Sequence, residues 1–259
     1  GECVGLASSS SSSSGEEEEE EDKLIACSDD GRVQVFNNSS DDDGATLDVE
    51  GEVSAFDVRG DRVAVGGREH ELSVWSVSTT DREFRSRNVP HDYLDMRRPV
   101  WVSAAKFRTE ATLLIGTKHR QLRAYDVRAQ RRPVAEFENV TRHAVRQLAI
   151  LDDHSALVAD VAGSVQTVDL RTMRVKARYP GPAGSVRGLA THPVAPTLLF
   201  AAAGLDRHVH LWDASKRDKK PIASIYCKQR LNALLWQHHQ QIRRRPDDED
   251  DDDDDDDDD

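Results

Sequence analysis

Residues 186–214 read VRGLATHPVAPTLLFAAAGLDRHVHLWDA. An alternating apolar strand comes first, then a turn, then a small-residue apolar strand. A Gly/Asp turn follows, and a third strand ends on Trp212-Asp213. Working outward, the same order recurs in 145–170 (VRQLAILDDHSALVADVAGSVQTVDL), 102–127 (VSAAKFRTEATLLIGTKHRQLRAYDV) and 53–77 (VSAFDVRGDRVAVGGREHELSVWSV). A partial copy, LIACSDDGRVQVFN, lies at 24–37, and another begins at 231–236, LNALLW.

The equivalent ends of the third strands are Phe36, Trp75, Tyr125, Val168 and Trp212, spaced 39, 50, 43 and 44 residues apart. A period of roughly 40–45 residues with four strands per copy is that of a WD-type β-propeller blade. A β-sandwich has no such period. No stretch sustains a 3.6-residue apolar period, so helices should be few. The expected fold is all-β, with about five blades plus a partial one in residues 23–240. Residues 1–22 (Ser/Glu-rich) and 241–259 (an Arg patch and polyacidic tail) are expected to be disordered. The stretch NNSSDDDG at 37–44 reads as a flexible loop. The missing initiator Met suggests a fragment, an incomplete gene model or a processed end.

The repeat accounts for several residues without function. Asp29, Asp206 and His119 fall in the turns before third strands, where Asp caps backbone N–H groups. Gly31, Gly163 and Gly204 supply backbone freedom there. The Gly-His dipeptide that opens many such repeats is missing, and Gly184-Ser185 stands in its place in the best copy.

The formal net charge of −13 conceals two opposite parts. The acidic runs at 16–22 and 247–259, with Glu2, leave 27 acids in residues 23–246 against all 35 Lys and Arg, about +8. Such a body can attract phosphate or acidic partners. No apolar run approaches the ~20 residues of a membrane helix, and no signal peptide is legible. Cys3, Cys27 and Cys227 have neither metal-ligand nor redox spacing.

Catalytic motifs are missing: no P-loop, no G-x-S-x-G, no H-E-x-x-H. His208 and His210 share a strand face and, with Asp206, are a conceivable metal set. They read instead as outward residues of a third strand, opposite Val209 and Leu211. His238-His239 lacks a third ligand. No catalytic, cofactor or metal site and no small-molecule substrate is expected.

The informative residues are those the blades do not need. The link 82–101, REFRSRNVPHDYLDMRRPVW, carries Arg82, Arg85, Arg87, Arg97 and Arg98 beside Phe84, Tyr93 and Trp101. Arg with aromatics suits nucleic acid or a large protein interface. The same segment also reads as a solvated loop anchored by Tyr93, Leu94 and Trp101. Two more basic clusters, Arg128/Arg131/Arg132 and Lys216/Arg217/Lys219/Lys220, would form one basic rim if all three lay on one face. Arg243, Arg244 and Arg245 form a short nuclear-localisation-like patch.

The strings RNVPHDYLDMRRPVW (87–101), HRQLRAYDVRAQRRPV (119–134), PAGSVRGLATHP (182–193), AGLDRHVHLWD (203–213) and LNALLW (231–236) resemble the WD repeat-containing protein 74 family. The resemblance spans residues 24–236 in the family's order. It implies a seven-bladed propeller of which roughly the first blade and part of the second have no counterpart here. It also implies a nucleolar factor in assembly of the large (60S) ribosomal subunit. Its implied partners are pre-60S assembly factors, pre-rRNA and a AAA-type ATPase. The polyacidic end departs from the basic tail common in that family. The expected partner-binding residues are Arg87, Asp92, Tyr93, Asp95, Arg97, Arg98, Arg131, Arg132, Arg187 and Arg207. Arg187 and Arg207 read equally well as structural residues between blades. The alternative function is a generic WD-repeat adaptor, such as a ubiquitin-ligase substrate receptor or chromatin scaffold.

Overall fold

The computed structural model describes residues 3–9, 23–37, 46–49, 51–91, 94–193 and 198–236. Among them are twenty strands in five four-stranded antiparallel sheets. Blade 1 holds β1 (Cys3–Ser9), β2 (Lys23–Ser28), β3 (Arg32–Asn37) and β4 (Thr46–Asp48). Blade 2 holds β5 (Val53–Arg59), β6 (Arg62–Gly67), β7 (Ser73–Ser76) and β8 (Arg82–Arg85). Blade 3 holds β9 (Val102–Phe107), β10 (Thr112–Thr117), β11 (Leu122–Asp126) and β12 (Ala135–Phe137). Blade 4 holds β13 (Val145–Asp152), β14 (Ser155–Asp160), β15 (Val165–Asp169) and β16 (Arg174–Tyr179). Blade 5 holds β17 (Val186–Thr191), β18 (Leu199–Gly204), β19 (His208–Asp213) and β20 (Ala223–Tyr226).

Two sequence expectations change. Cys3–Ser9, grouped above with the disordered first 22 residues, pairs with Lys23–Ser28 and supplies the first strand of blade 1. The link expected at 82–101 is shorter, because Arg82–Arg85 is the fourth strand of blade 2. Its alternation buries Phe84 and leaves Glu83 and Arg85 out. The expected loop residues 38–44 and the tail 241–259, with His238, His239 and Arg243–Arg245, lie outside the described residues.

Blades 2, 3 and 4 lie between two neighbours, so both faces of their second strands must be apolar. In β14, Ala156 and Val158 pack into the seam with blade 3, while Leu157 and Ala159 pack into the seam with blade 5. In β10, Leu113 and Ile115 face blade 2 and Leu114 faces blade 4. Strict period-two geometry thus divides a continuous apolar run between two interfaces. The four core clusters are the four seams between successive blades. At about 25 cal/mol per Å² of apolar area, these seams are the main source of stability. Residues 231–236 continue the stacking: Trp236 Nε1 donates to Ala190 O at 3.1 Å, and a Cβ on Gly188 would come within 2.7 Å of Leu234.

Candidate functional site

Antiparallel order within every blade puts the blade-to-blade links and the turns between second and third strands at one end, the linking end. The remaining turns lie at the opposite end. First strands of adjacent blades start level: Ser54 Oγ donates to Val102 O at 2.7 Å, Ser103 Oγ to Val145 O at 2.6 Å, and Gln147 Nε2 to Arg187 O at 2.8 Å. The three basic clusters therefore do not share one face. The link 86–101 belongs to the linking end. Arg128–Arg132 and Lys216–Lys220 are turns between third and fourth strands. The second of these is used locally: Lys219 Nζ donates to Ala214 O at 2.8 Å and sits 5.6 Å from the Tyr179 ring centre.

One crossover joins two clusters. Arg131 Nε donates to Arg85 O at 2.8 Å, and Arg87 N–H donates to Arg131 O at 2.7 Å. This ties the turn of blade 3 to the outer edge of blade 2. Beside the tie opens a cleft of about 570 Å³ lined by Glu71, Arg87, His91, Asp95, Arg97 and Arg132. Four of the ten expected residues thus meet in one place. Asp92 and Tyr93 lie outside the described residues.

The cleft rests on a buried charged floor. Arg123, 2% exposed, donates from Nε to Glu136 at 2.8 Å and from Nη1 to Asn88 Oδ1 at 3.3 Å. Asn88 Nδ2 in turn donates to Arg98 O at 2.7 Å, and its backbone N–H to Glu71 at 3.2 Å. Arg98 pairs with Glu138 at 2.5 Å and Glu136 at 3.6 Å. Arg98 and Arg131 therefore shape the site. Arg87 and Arg132 have no carboxylate partner among the described residues within salt-bridge distance. Arg97 meets Glu69 at 3.2 Å, both 57% exposed, an exchangeable surface pair. Asp95 adopts φ 59°, and its carboxylate accepts from His91 Nδ1–H at 2.9 Å, a tight curl in the link.

Arg207 sits apart, in the left-handed turn before β19 (φ 65°), where its carbonyl accepts from Cys227 N–H at 2.8 Å. Arg187 sits near the axis. Every first strand carries a β-bulge at its second residue: Val4, Ser54, Ser103, Arg146 and Arg187 are the unpaired residues. Bulges re-aim side chains. Near these residues, the Trp101 ring lies 5.1 Å from the Arg68 guanidinium and 5.1 Å from Lys118 Nζ. Burial lowers the Lys118 pKa, and the neighbouring Arg146 and Arg187 charges lower it further. Sequence reading missed Arg68, Lys118 and Arg146. Aligning the repeats at the Val-Ser, Val-Ser, Val-Arg, Val-Arg dipeptides that open β5, β9, β13 and β17 would have found Arg146.

His210 is a correction. It does not face outward; it is 6% exposed in the seam with blade 4, on the same strand face as Trp212. Its Nε2 lies 3.1 Å from Asp206. The face of β19 that carries His210 and Trp212 is turned towards blade 4 and is covered by it. Burial pushes the Asp206 carboxyl up. Hydrogen bonds from Ala183 N–H, His210 and His208 N–H outweigh that, leaving its pKa below the ordinary value. Among the described residues, no three His, Cys, Asp or Glu group to hold a metal.

Residues 173–213 match the family model for the WD domain, G-beta repeat. The chain is 36% identical over 179 residues to WD repeat-containing protein 74 of Bos taurus, covering 67% of this chain and 45% of that protein. It is 29% identical over 207 residues to ribosome biogenesis protein NSA1 of Yarrowia lipolytica, covering 66% and 50% respectively. The chain thus spans about half the length of these relatives. Among solved structures, the WD40 β-propeller domain of Doa1 superposes with a TM-score of 0.63 at 20% identity, covering 78% of this chain and 64% of that one. A computationally designed protein, Ika8, superposes at 0.66 and 13%, covering 89% and 65%. These two likenesses concern the fold alone. The chain is a WD-repeat β-propeller protein homologous to WD repeat-containing protein 74 and to its yeast counterpart, ribosome biogenesis protein NSA1.

Proposed function

We propose that this chain is a non-enzymatic scaffold in biogenesis of the large ribosomal subunit, working in the nucleolus on pre-60S particles. The observation that carries the reading is its homology to proteins named for ribosome biogenesis, at 28–29% identity in two fungi and 35–36% to the mammalian relatives. The physical support is the division of labour in the fold. Apolar seams give a stiff stack, which holds charged links in fixed positions. The cleft beside the blade 2–3 tie offers Arg87, Arg97 and Arg132 to phosphates or acidic surfaces of assembly factors, and Asp95 to a basic group. A AAA-type ATPase acting on the assembled particle belongs to this reading on the family resemblance alone.

The test is gradient co-sedimentation with affinity purification of the tagged chain. Wild type should travel with 60S precursors and recover large-subunit rRNA, assembly factors and the ATPase. Replacing Arg87, Arg97 and Arg132 with Ser should shift the chain to light fractions with its melting temperature kept. Unchanged co-sedimentation would remove the cleft from the account. Cullin subunits or histones in place of rRNA would replace the reading with the generic adaptor.

A further inference from the structure

The five bulge residues form a series in which one position takes three chemistries. In blade 1, Val4 packs against the apolar seam. In blades 2 and 3 the residue is Ser, and each hydroxyl donates to the carbonyl just before the bulge of the next blade: Ser54 to Val102, Ser103 to Val145. A small hydroxyl therefore satisfies the position and fastens neighbouring blades. In blades 4 and 5 the residue is Arg. Arg146 and Arg187 each bury Nε with no hydrogen-bond partner. Among the described residues, no carboxylate lies within salt-bridge distance of Arg146, Arg187, Lys118 or Arg68. The burial of Arg146 and the charge of Arg187 both lower the Arg146 pKa, so the cations stand close enough to repel.

A buried guanidinium Nε–H left without an acceptor costs free energy, and crowded like charges add to that cost. The fold tolerates both at a repeat position that Ser fills in blades 2 and 3 while bonding the next blade. We propose that Lys118, Arg146 and Arg187, with Arg68 and Trp101 at one end, form a phosphate-binding arc at the linking end of the propeller axis, and that its ligand is the backbone of single-stranded RNA. The cations come from three successive blades. A run of phosphates meets all of them, whereas one carboxylate meets one. Guanidinium forks suit phosphate oxygens, and a flexible single strand can follow an arc. This deepens the reading above, on which it rests for RNA as the physiological partner, but the site can be tested on the isolated chain.

The double variant Arg146→Ser, Arg187→Ser restores the residue of blades 2 and 3. Binding of a fluorescein-labelled oligouridylate is followed by anisotropy across a KCl series, beside thermal unfolding. Two lost phosphate contacts should make the slope of log K against log salt shallower by about 1.4, which is about 25-fold weaker binding at about 0.1 M salt. The melting temperature should hold or rise, since Ser at position 146 can reach the Val186 carbonyl as Ser54 and Ser103 reach theirs, and both substitutions relieve a buried Nε without an acceptor. Unchanged RNA binding would overturn the site, whatever co-sedimentation shows. A lower melting temperature with unchanged affinity would assign both Arg residues to folding. Tighter binding of a poly-Glu peptide than of RNA, lost in the variant, would overturn RNA in favour of an acidic protein. If wild type binds the oligonucleotide through the arc but never joins pre-60S particles, the site stands and the ribosomal reading falls.

Discussion

The seam between blades 4 and 5 and the cleft between blades 2 and 3 both form where neighbouring blades meet, yet they are built from opposite materials. The seam is closed by Phe200 stacked on Trp212 at 5.1 Å, with Tyr179 edge-on to Phe200 at 4.8 Å. The cleft is floored by Arg123, Asn88, Glu136 and Arg98 and stays open above them. The seam lies between blade faces, where no water reaches and dispersion and burial decide. The cleft lies where an extended link leaves the stack, and its polar backbone must be met by polar partners. The difference teaches that stability and recognition are separated by position within each blade rather than allotted to different blades.

That comparison breaks most readily at the seam. Trp212→Ala should cost about 3–5 kcal/mol, read as a lower urea midpoint with an unchanged m-value. A loss below about 1 kcal/mol would mean the seams do not carry the fold. Under the cleft, Arg123→Ala leaves Glu136 with Arg98 alone and frees Asn88 Oδ1. Because Glu136 is 22% exposed, the cost should be nearer about 2 kcal/mol than the full figure for a buried pair. Faster hydrogen exchange should appear in residues 86–91, and its absence would show that Arg123 does not hold the link.

Asp206 sharpens the boundary between the two kinds of region. Its folded-state pKa lies below the ordinary carboxylate value. Its contribution is thus present above about pH 4 and lost as pH falls through the lowered value. Asp206→Asn should lower the melting temperature at neutral pH, and the gap from wild type should close in acid. A gap that widens in acid would reverse the sign argued here. The smallest effect is expected at the rim, where Arg97→Ser should change stability by less than about 0.5 kcal/mol in the same urea titration.

The seams were legible in sequence because both faces of a second strand are buried. Runs such as Ala156–Ala159 and Phe200–Ala203 admit no polar residue, so the repeat shows as a spacing of small apolar strands. The strand Cys3–Ser9 was not legible, since its composition runs straight into a Ser/Glu tract. Nor was the cleft's sorting of arginines into holders and free cations. Arg131 bonds Arg85, and Arg123 bonds Asn88, across sequence gaps of 46 and 35 residues set by blade stacking. His210 was misread because alternation gives the sides of a strand but not which side is covered. The axial Arg pair left a trace, the Ser-to-Arg change at one repeat position, visible once the bulge explains why that position is special.

Hydrogen–deuterium exchange of the purified chain, with and without the oligouridylate, tests the central division most directly. Exchange should be slowest in β6, β10, β14 and β18 in both states, with RNA-induced protection confined to the linking end around residues 68–71, 101–103, 118–121, 146 and 187. Protection instead at the opposite end, around residues 108–111 and 171–173, would contradict it.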